Sequence, residues 1–368
     1  MPKPIQQQFW GFHGSINGRC DKCLVGDFVD ADDNACSELM SNGYETVSCD
    51  SEKGLRYLQA VRGPTLLNIS ARPFDIPPLP QFIPHGFSRS SGKYLHQTNI
   101  PWIAVSLGKI VNRKTLEVVN DVRAHVGADD TAKIMLLNYA DDPLIERIWD
   151  ARKKVLPALA QTNVDLMTSI DYSVFLDQPH LESVVNIKRG FVTYDLLAEY
   201  GATVIPHVYW RGNTSIRRIA EWLNTNPNAT HIASYQGLRK TRIEWEEFLI
   251  GLGYLKSLLQ KNVTLLISGP SIPSRIATLL TIWPNTIITN GVATQAAIHH
   301  SLKTESGSQP VSYQPLVENI EYYNHLVKQE LVTPQRIYKI SSLDITPQIV
   351  NRWHIHGTSS TPIISNFY

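Results

Sequence analysis

The chain has 368 residues, a formal net charge of +1 and only 18% charged residues. That length exceeds a single small domain and suits a barrel of roughly 250 residues with additions at either end. Near-neutrality excludes a global field that would draw the protein onto nucleic acid or an acidic membrane, so any polyanion site has to be local.

No basic stretch followed by an apolar one opens the sequence, and no run of about 18 apolar residues occurs, which leads to the expectation of a cytoplasmic protein without a membrane partner. Residues 1–50 form a cysteine-rich extension, because all four cysteines, Cys20, Cys23, Cys36 and Cys49, fall there. In a reducing compartment such a cluster reads as metal ligands or free thiols rather than disulfides. The Cys20-Asp-Lys-Cys23 spacing lets two thiolates grip one tetrahedral ion, so the expected cofactor is a structural Zn2+ on the four cysteines, with His13 able to replace Cys36 or Cys49. An iron–sulfur cluster and plain thiols are the alternatives. Four thiolates leave no open coordination position, which argues against a catalytic zinc.

From residue 51 to 302 short β-branched and aliphatic runs alternate with amphipathic stretches of helical length, the pattern of a (β/α)8 TIM-like barrel. A helix over Ser51–Arg62 precedes strand one at Thr65–Ser70. Strand two is Trp102–Leu107, and strand three is Lys133–Tyr139, followed by a helix over Pro143–Leu159. Strand four, Asp165–Asp171, and strand five, Thr203–Trp210, flank a long helix from His180 to Tyr200 that stops at Gly201. Strands six, seven and eight are His231–Gln236, Val263–Ser268 and Thr286–Asn290, with helices near Ile243–Gln260, Pro273–Leu280 and Ala293–Leu302. No GxGxxG turn or GxxxxGK[ST] loop occurs, so the usual nucleotide-binding doubly wound folds lose support.

In such a barrel chemistry belongs at the C-terminal ends of the strands. Asp171, which ends the apolar run of strand four, is a candidate base or nucleophile there; its bland counterpart is a carboxylate paired with a nearby arginine or turn amides. His207 and Tyr209 share a face of strand five at i and i+2 and read as its catalytic helpers, or as a satisfied core histidine and its neighbour. Asn68, Ser173, Asn186, Arg189, Arg211 and Gln236 are candidate substrate contacts. Arg211, Arg217 and Arg218 on loop five, with Arg239, Lys240 and Arg242 on loop six, form a basic rim that could hold phosphates; the alternative is a solvated face of two helix starts.

Loop one, Ala71–Asn99, is far longer than an ordinary βα connection and carries Pro73, Pro77, Pro78, Pro80 and Pro84, a composition that suits a cover over a substrate or packing at the barrel edge. After Leu302 the run Lys-Thr-Glu-Ser-Gly-Ser-Gln-Pro reads as a linker opening a third region, 303–368. A helix near Leu316–Glu330 follows. Two Thr-Pro-Gln starts at Thr333 and Thr346 then give a weak helix-turn-helix pattern, which offers a surface for a protein partner or for DNA.

Three motifs carry a resemblance. Ile170-Asp171-Tyr-Ser173, Asn186-Ile-Lys-Arg189 and Ala202-Thr-Val-Ile-Pro206-His-Val-Tyr-Trp210 resemble an uncharacterised family of bacterial, phage and plasmid proteins with Asp-aromatic-Ser, Asn-x-x-Arg and Ile-Pro-x-x-x-Trp series, over about residues 160–270. More distantly, a barrel with a cysteine site resembles the tRNA-guanine transglycosylases and their DNA-modifying relatives. That resemblance implies an aspartate nucleophile at C1′ and a structural zinc. Only Asp171 carries over, with Asp141 or Asp142 as its partner; the cysteines precede the barrel here rather than follow it, and the Ser-Gly-Gly-Phe loop is absent. The expected function is therefore a barrel enzyme acting on a nucleotide or nucleic acid, transglycosylase-like at a glycosidic bond. The alternative is a non-catalytic module of a mobile genetic element that binds nucleic acid or protein.

Overall fold

The computed structural model describes residues 58–88, 100–174, 180–237 and 241–332. The four cysteines, Arg239, Lys240 and the two Thr-Pro-Gln starts lie outside them. The described strands are β1 (Phe82–Pro84), β2 (Trp102–Ser106), β3 (Lys133–Leu137), β4 (Leu166–Thr168), β5 (Val204–Ile205), β6 (His231–Tyr235), β7 (Thr264–Ser268) and β8 (Thr286–Asn290). They form two four-stranded parallel sheets, ordered β2-β3-β4-β5 and β1-β8-β7-β6. The protein is thus a mixed α/β fold with parallel sheets. Both faces of the strands are buried, which is why they read as nearly continuous apolar runs rather than as alternations.

Single parallel bridges connect the two sheets at both edges, His85 to Ala104 and His207 to Ala233. The second is made by Val208 N–H donating to Ala233 O at 2.8 Å and Ala233 N–H donating to Pro206 O at 2.9 Å. One apolar cluster draws on both sheets: Ile83, Ala104, Leu137, Leu166, Ile205, Ala233, Leu266 and Ile287. A second, larger cluster fills the space between the strands and the helices.

The helices that follow the strands are α1 (Leu107–Ile110), α2 (Val122–Val126), α3 (Asp142–Asp150), α4 (Arg152–Ala160), α5 (His180–Glu199), α6 (Asn213–Thr225), α7 (Arg242–Leu258), α8 (Pro273–Ile282) and α9 (Val292–Ile298). The single helix expected over Pro143–Leu159 is two, meeting at Ala151, and Pro157 inside α4 removes one helical hydrogen bond. Helix α5 ends as its sequence demands. Gly201 takes φ +93, its N–H donates to Ala198 O and that of Ala202 to Leu197 O, the paired bonds of a Schellman motif. Helix α7 opens with a capping box, Glu244 N–H donating to Thr241 Oγ1 at 3.2 Å and Thr241 N–H to Glu244 Oε2 at 3.1 Å.

Strands four and five are shorter than expected, Leu166–Thr168 rather than Asp165–Asp171 and Val204–Ile205 rather than Thr203–Trp210, so Asp171, His207 and Tyr209 follow them in the loops. Two larger expectations need correction. Thr65–Ser70 is not a strand: Ile69 N–H donates to Leu66 O in a turn, and Leu66 and Ile69 are buried while Leu67 is exposed, a spacing of three rather than two. The stretch instead lies over α5 and α6, where Trp222 Nε1 donates to Ile69 O, and Lys188 Nζ donates to Thr65 O and Asn68 Oδ1. The first strand among the described residues, Phe82–Pro84, sits inside the proline-rich loop and pairs with Ile288–Asn290 of β8. Residues 303–310 are likewise not a linker. They belong to an antiparallel hairpin, β9 (Ser301–Thr304) with β10 (Gly307–Pro310), held to helix α10 (Leu316–Val332) by buried Asn319. Asn319 accepts from Lys303 N–H at 2.6 Å and donates to Ser301 O at 2.9 Å, and Tyr323 of α10 stacks on Phe82 of β1. Among the described residues no helix is long and apolar enough to cross a membrane.

Candidate functional site

In a strand, side chains two residues apart share a face. Two residues beyond the shared interior cluster stand His85 after Ile83, Ser106 after Ala104, Tyr139 after Leu137, Thr168 after Leu166, His207 after Ile205, Tyr235 after Ala233, Ser268 after Leu266 and Thr289 after Ile287. An apolar interior is therefore capped, at the strand C-terminal ends, by a polar and aromatic tier.

Contacts tie this tier together. Tyr139 Oη lies 2.9 Å from His85 Nε2 and 3.2 Å from its Nδ1, and Ser268 Oγ donates to the same phenolic oxygen at 3.3 Å. The Tyr139 ring stacks on Tyr235 with centroids 4.2 Å apart. Burial, and after it the positive charge of Lys109, pulls His85 down to about 4, so it is neutral at physiological pH. Burial also raises the Tyr139 phenol, helped by Tyr235 and the Asp171 charge, against an opposing hydrogen bond from Ser268. Tyr235 is raised in the same direction, first by burial and then by Asp171. Both phenols stay protonated near neutrality.

Asp171 joins the tier from loop four. It is only 8% exposed and His207 only 4%, and Asp171 Oδ1 lies 3.7 Å from His207 Nδ1. That is an electrostatic contact if the imidazole is charged, and too long for a hydrogen bond. Neither of these two atoms has a hydrogen-bond partner among the described residues. The main chain sets both residues, since Asp171 N–H donates to Asn138 O at 2.9 Å and His207 N–H donates to Ser169 Oγ at 2.8 Å. In α5, Gly190 lies close against this floor: a Cβ there would stand 3.6 Å from His207 O and 3.8 Å from Ile170 O.

The other expected site residues divide. The Tyr209 hydroxyl donates to Tyr235 O at 3.1 Å and accepts from Tyr235 N–H at 3.0 Å, so it splices loop five to β6. Ser173, Asn186 and Arg189 form a separate linked set behind strand four. Ser173 Oγ donates to Asp142 Oδ1 at 2.8 Å, Asn186 Nδ2 donates to Ser173 O at 2.8 Å, and Arg189 pairs with Glu146 at 3.1 Å while packing on Trp149 and Tyr172. Asp141 pairs with Arg113 at 2.7 Å, well engaged at the surface. Gln236 is buried and donates to Ser234 Oγ at 2.7 Å. Arg211 N–H donates to Ser215 Oγ at 3.0 Å at the start of α6. Asn68 is not in the tier: the segment expected to carry it there as strand one lies outside the helices instead, and its Nδ2 donates to Arg62 O at 2.6 Å. Sequence reasoning missed His85, Tyr139 and Tyr235. The period-two step past Leu137 and Ala233 points to the two tyrosines, whereas His85 is masked by the prolines around β1.

Among the described residues no group of three His, Cys, Asp or Glu side chains stands close enough to hold a metal ion. Fold and site together define a parallel α/β protein with a buried carboxylate, an imidazole and a stacked pair of phenols at its strand ends. The chain belongs to the family described as a domain of unknown function (DUF4417), whose model matches residues 95–279 and so spans Asp171, His207, Tyr139, Tyr235 and Ser268. No curated protein matches the sequence. Among solved structures, a cube-shaped, highly porous protein cage designed by fusing symmetric oligomeric domains is similar at 11% identity and a TM-score of 0.38, over 76% of this chain and 83% of that one, a likeness too low to carry a conclusion.

Proposed function

We propose that the two sheets close into one (β/α)8 barrel and that the protein is an enzyme acting on a nucleotide or nucleic-acid substrate at its glycosidic bond. Closure is supported by the two bridges between the sheets and by the apolar cluster drawn from both. The observation that carries the catalytic reading is the buried Asp171 Oδ1, 3.7 Å from His207 Nδ1, at the strand C-terminal ends. A carboxylate oxygen held away from hydrogen-bond donors keeps its nucleophilicity, and removing it from water is unfavourable unless a ligand uses it.

Asp171 is the nucleophile in this reading. Its oxygen bonds to C1′ as the C1′–N bond breaks, and the bonding pair leaves with the base. An incoming base or water, relieved of its proton by His207, then attacks C1′ and frees the carboxylate. Neutral phenols beside a carboxylate suit a leaving group that departs on hydrogen bonds alone, as a nucleobase does by spreading charge over its ring. Tyr209 acts through Tyr235 as a positioning residue. The basic rim, including Arg211, Arg239 and Lys240, would hold phosphate. A structural Zn2+ on Cys20, Cys23, Cys36 and Cys49 remains part of the proposal on the CxxC spacing, and elemental analysis of the purified protein tests it.

Asp171→Asn is the decisive variant. Turnover of nucleoside or oligonucleotide substrates should fall about 10^3-fold or more with substrate affinity retained. Turnover that survives the change refutes Asp171 as nucleophile, and nucleic-acid binding without turnover in either protein favours a binding module.

A further inference from the structure

Resting on that reading of the site, we infer that Tyr139 is the hydrogen-bond donor to a keto oxygen of the bound base, so that the site takes keto rather than amino nucleobases. Tyr139 Oη has two neighbours in the tier, His85 Nε2 at 2.9 Å and Ser268 Oγ at 3.3 Å. Ser268 donates to it. Neutral His85 carries one N–H, here assigned to Nε2, the ring nitrogen nearer the phenol, so that both groups donate into the phenolic oxygen. Its lone pairs are then engaged, and its own proton is left for a third partner.

The surroundings say what that partner is. Tyr139 is stacked on Tyr235 at 4.2 Å, which fixes the ring plane, and Asp171 is held beside the same strand end, its N–H donating at 2.9 Å to the carbonyl of Asn138, the residue before Tyr139. A group bridging Asp171 and Tyr139 therefore presents an electrophilic atom to the carboxylate and an acceptor oxygen to the phenol. In a nucleoside these are C1′ and a base carbonyl. As the C1′–N pair moves onto the base, negative charge grows on that carbonyl, and a preoriented O–H stabilises it without reorganising. An amino group at the same position of the base would bring a donor against a donor, leaving a buried polar group unpaired.

The test uses the full-length protein and free bases. Calorimetric titration with hypoxanthine against adenine, and uracil against cytosine, compares pairs in which a keto oxygen is exchanged for an amino group. The keto member of at least one pair should bind about tenfold tighter, and Tyr139→Phe should erase that preference by weakening the keto base about tenfold without weakening the amino base. Ser268→Ala, which removes one orienting donor, should lower the preference in part. Melting curves establish that each variant is folded. The inference is overturned if wild type binds no keto base, if it shows no keto preference, or if Tyr139→Phe weakens both members equally. Its failure is separable from that of the parent reading: loss of turnover in Asp171→Asn with no effect of Tyr139→Phe leaves the nucleophile and removes the donor. A keto preference that vanishes in Tyr139→Phe, in a protein without turnover, leaves the donor and removes the nucleophile.

Discussion

Replacing His85 by Gln should flatten part of the protein's acid sensitivity. In the folded chain burial and Lys109 hold this imidazole at about 4 rather than the usual 6.5. Below about 6.5 the unfolded chain binds a proton that the folded chain refuses until about 4, so stability falls as pH drops through that window and levels off beneath it. A separation of this size corresponds to about 2 kcal/mol lost by pH 5 and about 3 kcal/mol by pH 4, upper values because the ring retains some contact with solvent. Gln keeps a donor for Tyr139 Oη and does not titrate. Urea unfolding of both proteins at pH 7.5 and pH 5 isolates the histidine, since every other titrating group is common to the two. Wild type should lose about 2 kcal/mol more than His85→Gln over that interval. Equal losses would mean that the imidazole takes up its proton as readily in the folded protein as in the unfolded one, and the argument that burial keeps His85 neutral would fall with it.

Two further outcomes follow from close packing and from a buried lysine. A Cβ at Gly251 in α7 would lie 2.1 Å from Trp210 Nε1, whose ring stacks on Phe248, so Gly251→Ala should destabilise by about 1–2 kcal/mol even after the better helix propensity of alanine, with a change in tryptophan emission; a gain in stability would show that Trp210 has room to move. Lys188 is fully buried, and desolvation, then Arg62, lower it to about 8 against the partial support of Asp195. Above about 8 the folded lysine is neutral while the unfolded one stays charged to about 10.5, so stability should rise by about 2 kcal/mol between pH 7.5 and 10, and Lys188→Met should abolish that rise in urea unfolding. An identical slope in the variant would place the titration elsewhere.

The parts of the fold that local patterning controls were legible. Strand β8 runs over the expected Thr286–Asn290, and β2, β3, β6 and β7 fall within a residue or two of their expected ends, because each is an apolar run long enough to need burial on both faces. Strand β1 was not legible, since Phe82, Ile83 and Pro84 have no pattern of their own and become a strand only by pairing with β8. The same physics divides the site. Asp171 and His207 follow recognisable apolar runs, three residues past the end of β4 and two past that of β5, whereas His85 reaches the tier through a contact distant in sequence, and the apolar residues around Asn68 are spaced for a turn rather than the expected strand. The stretch 303–310 looked like a linker by composition, and a polar hairpin leaning on Asn319 has the same composition.

The pairing of β1 with β8 also bears on how the protein is made. Phe82–Pro84 leave the ribosome about two hundred residues before Ile288–Asn290, their partners, an interval on the order of ten to forty seconds at about 5–20 residues per second. Through that time Phe82, Ile83 and Phe87, all buried in the finished fold, lack the ladder of β8 and have only the single His85–Ala104 bridge to β2 beside them. The nascent chain is therefore a natural client for a chaperone. Any expression fragment that stops short of Asn290 should emerge insoluble, however intact its earlier strands, because the edge that β1 completes would never exist.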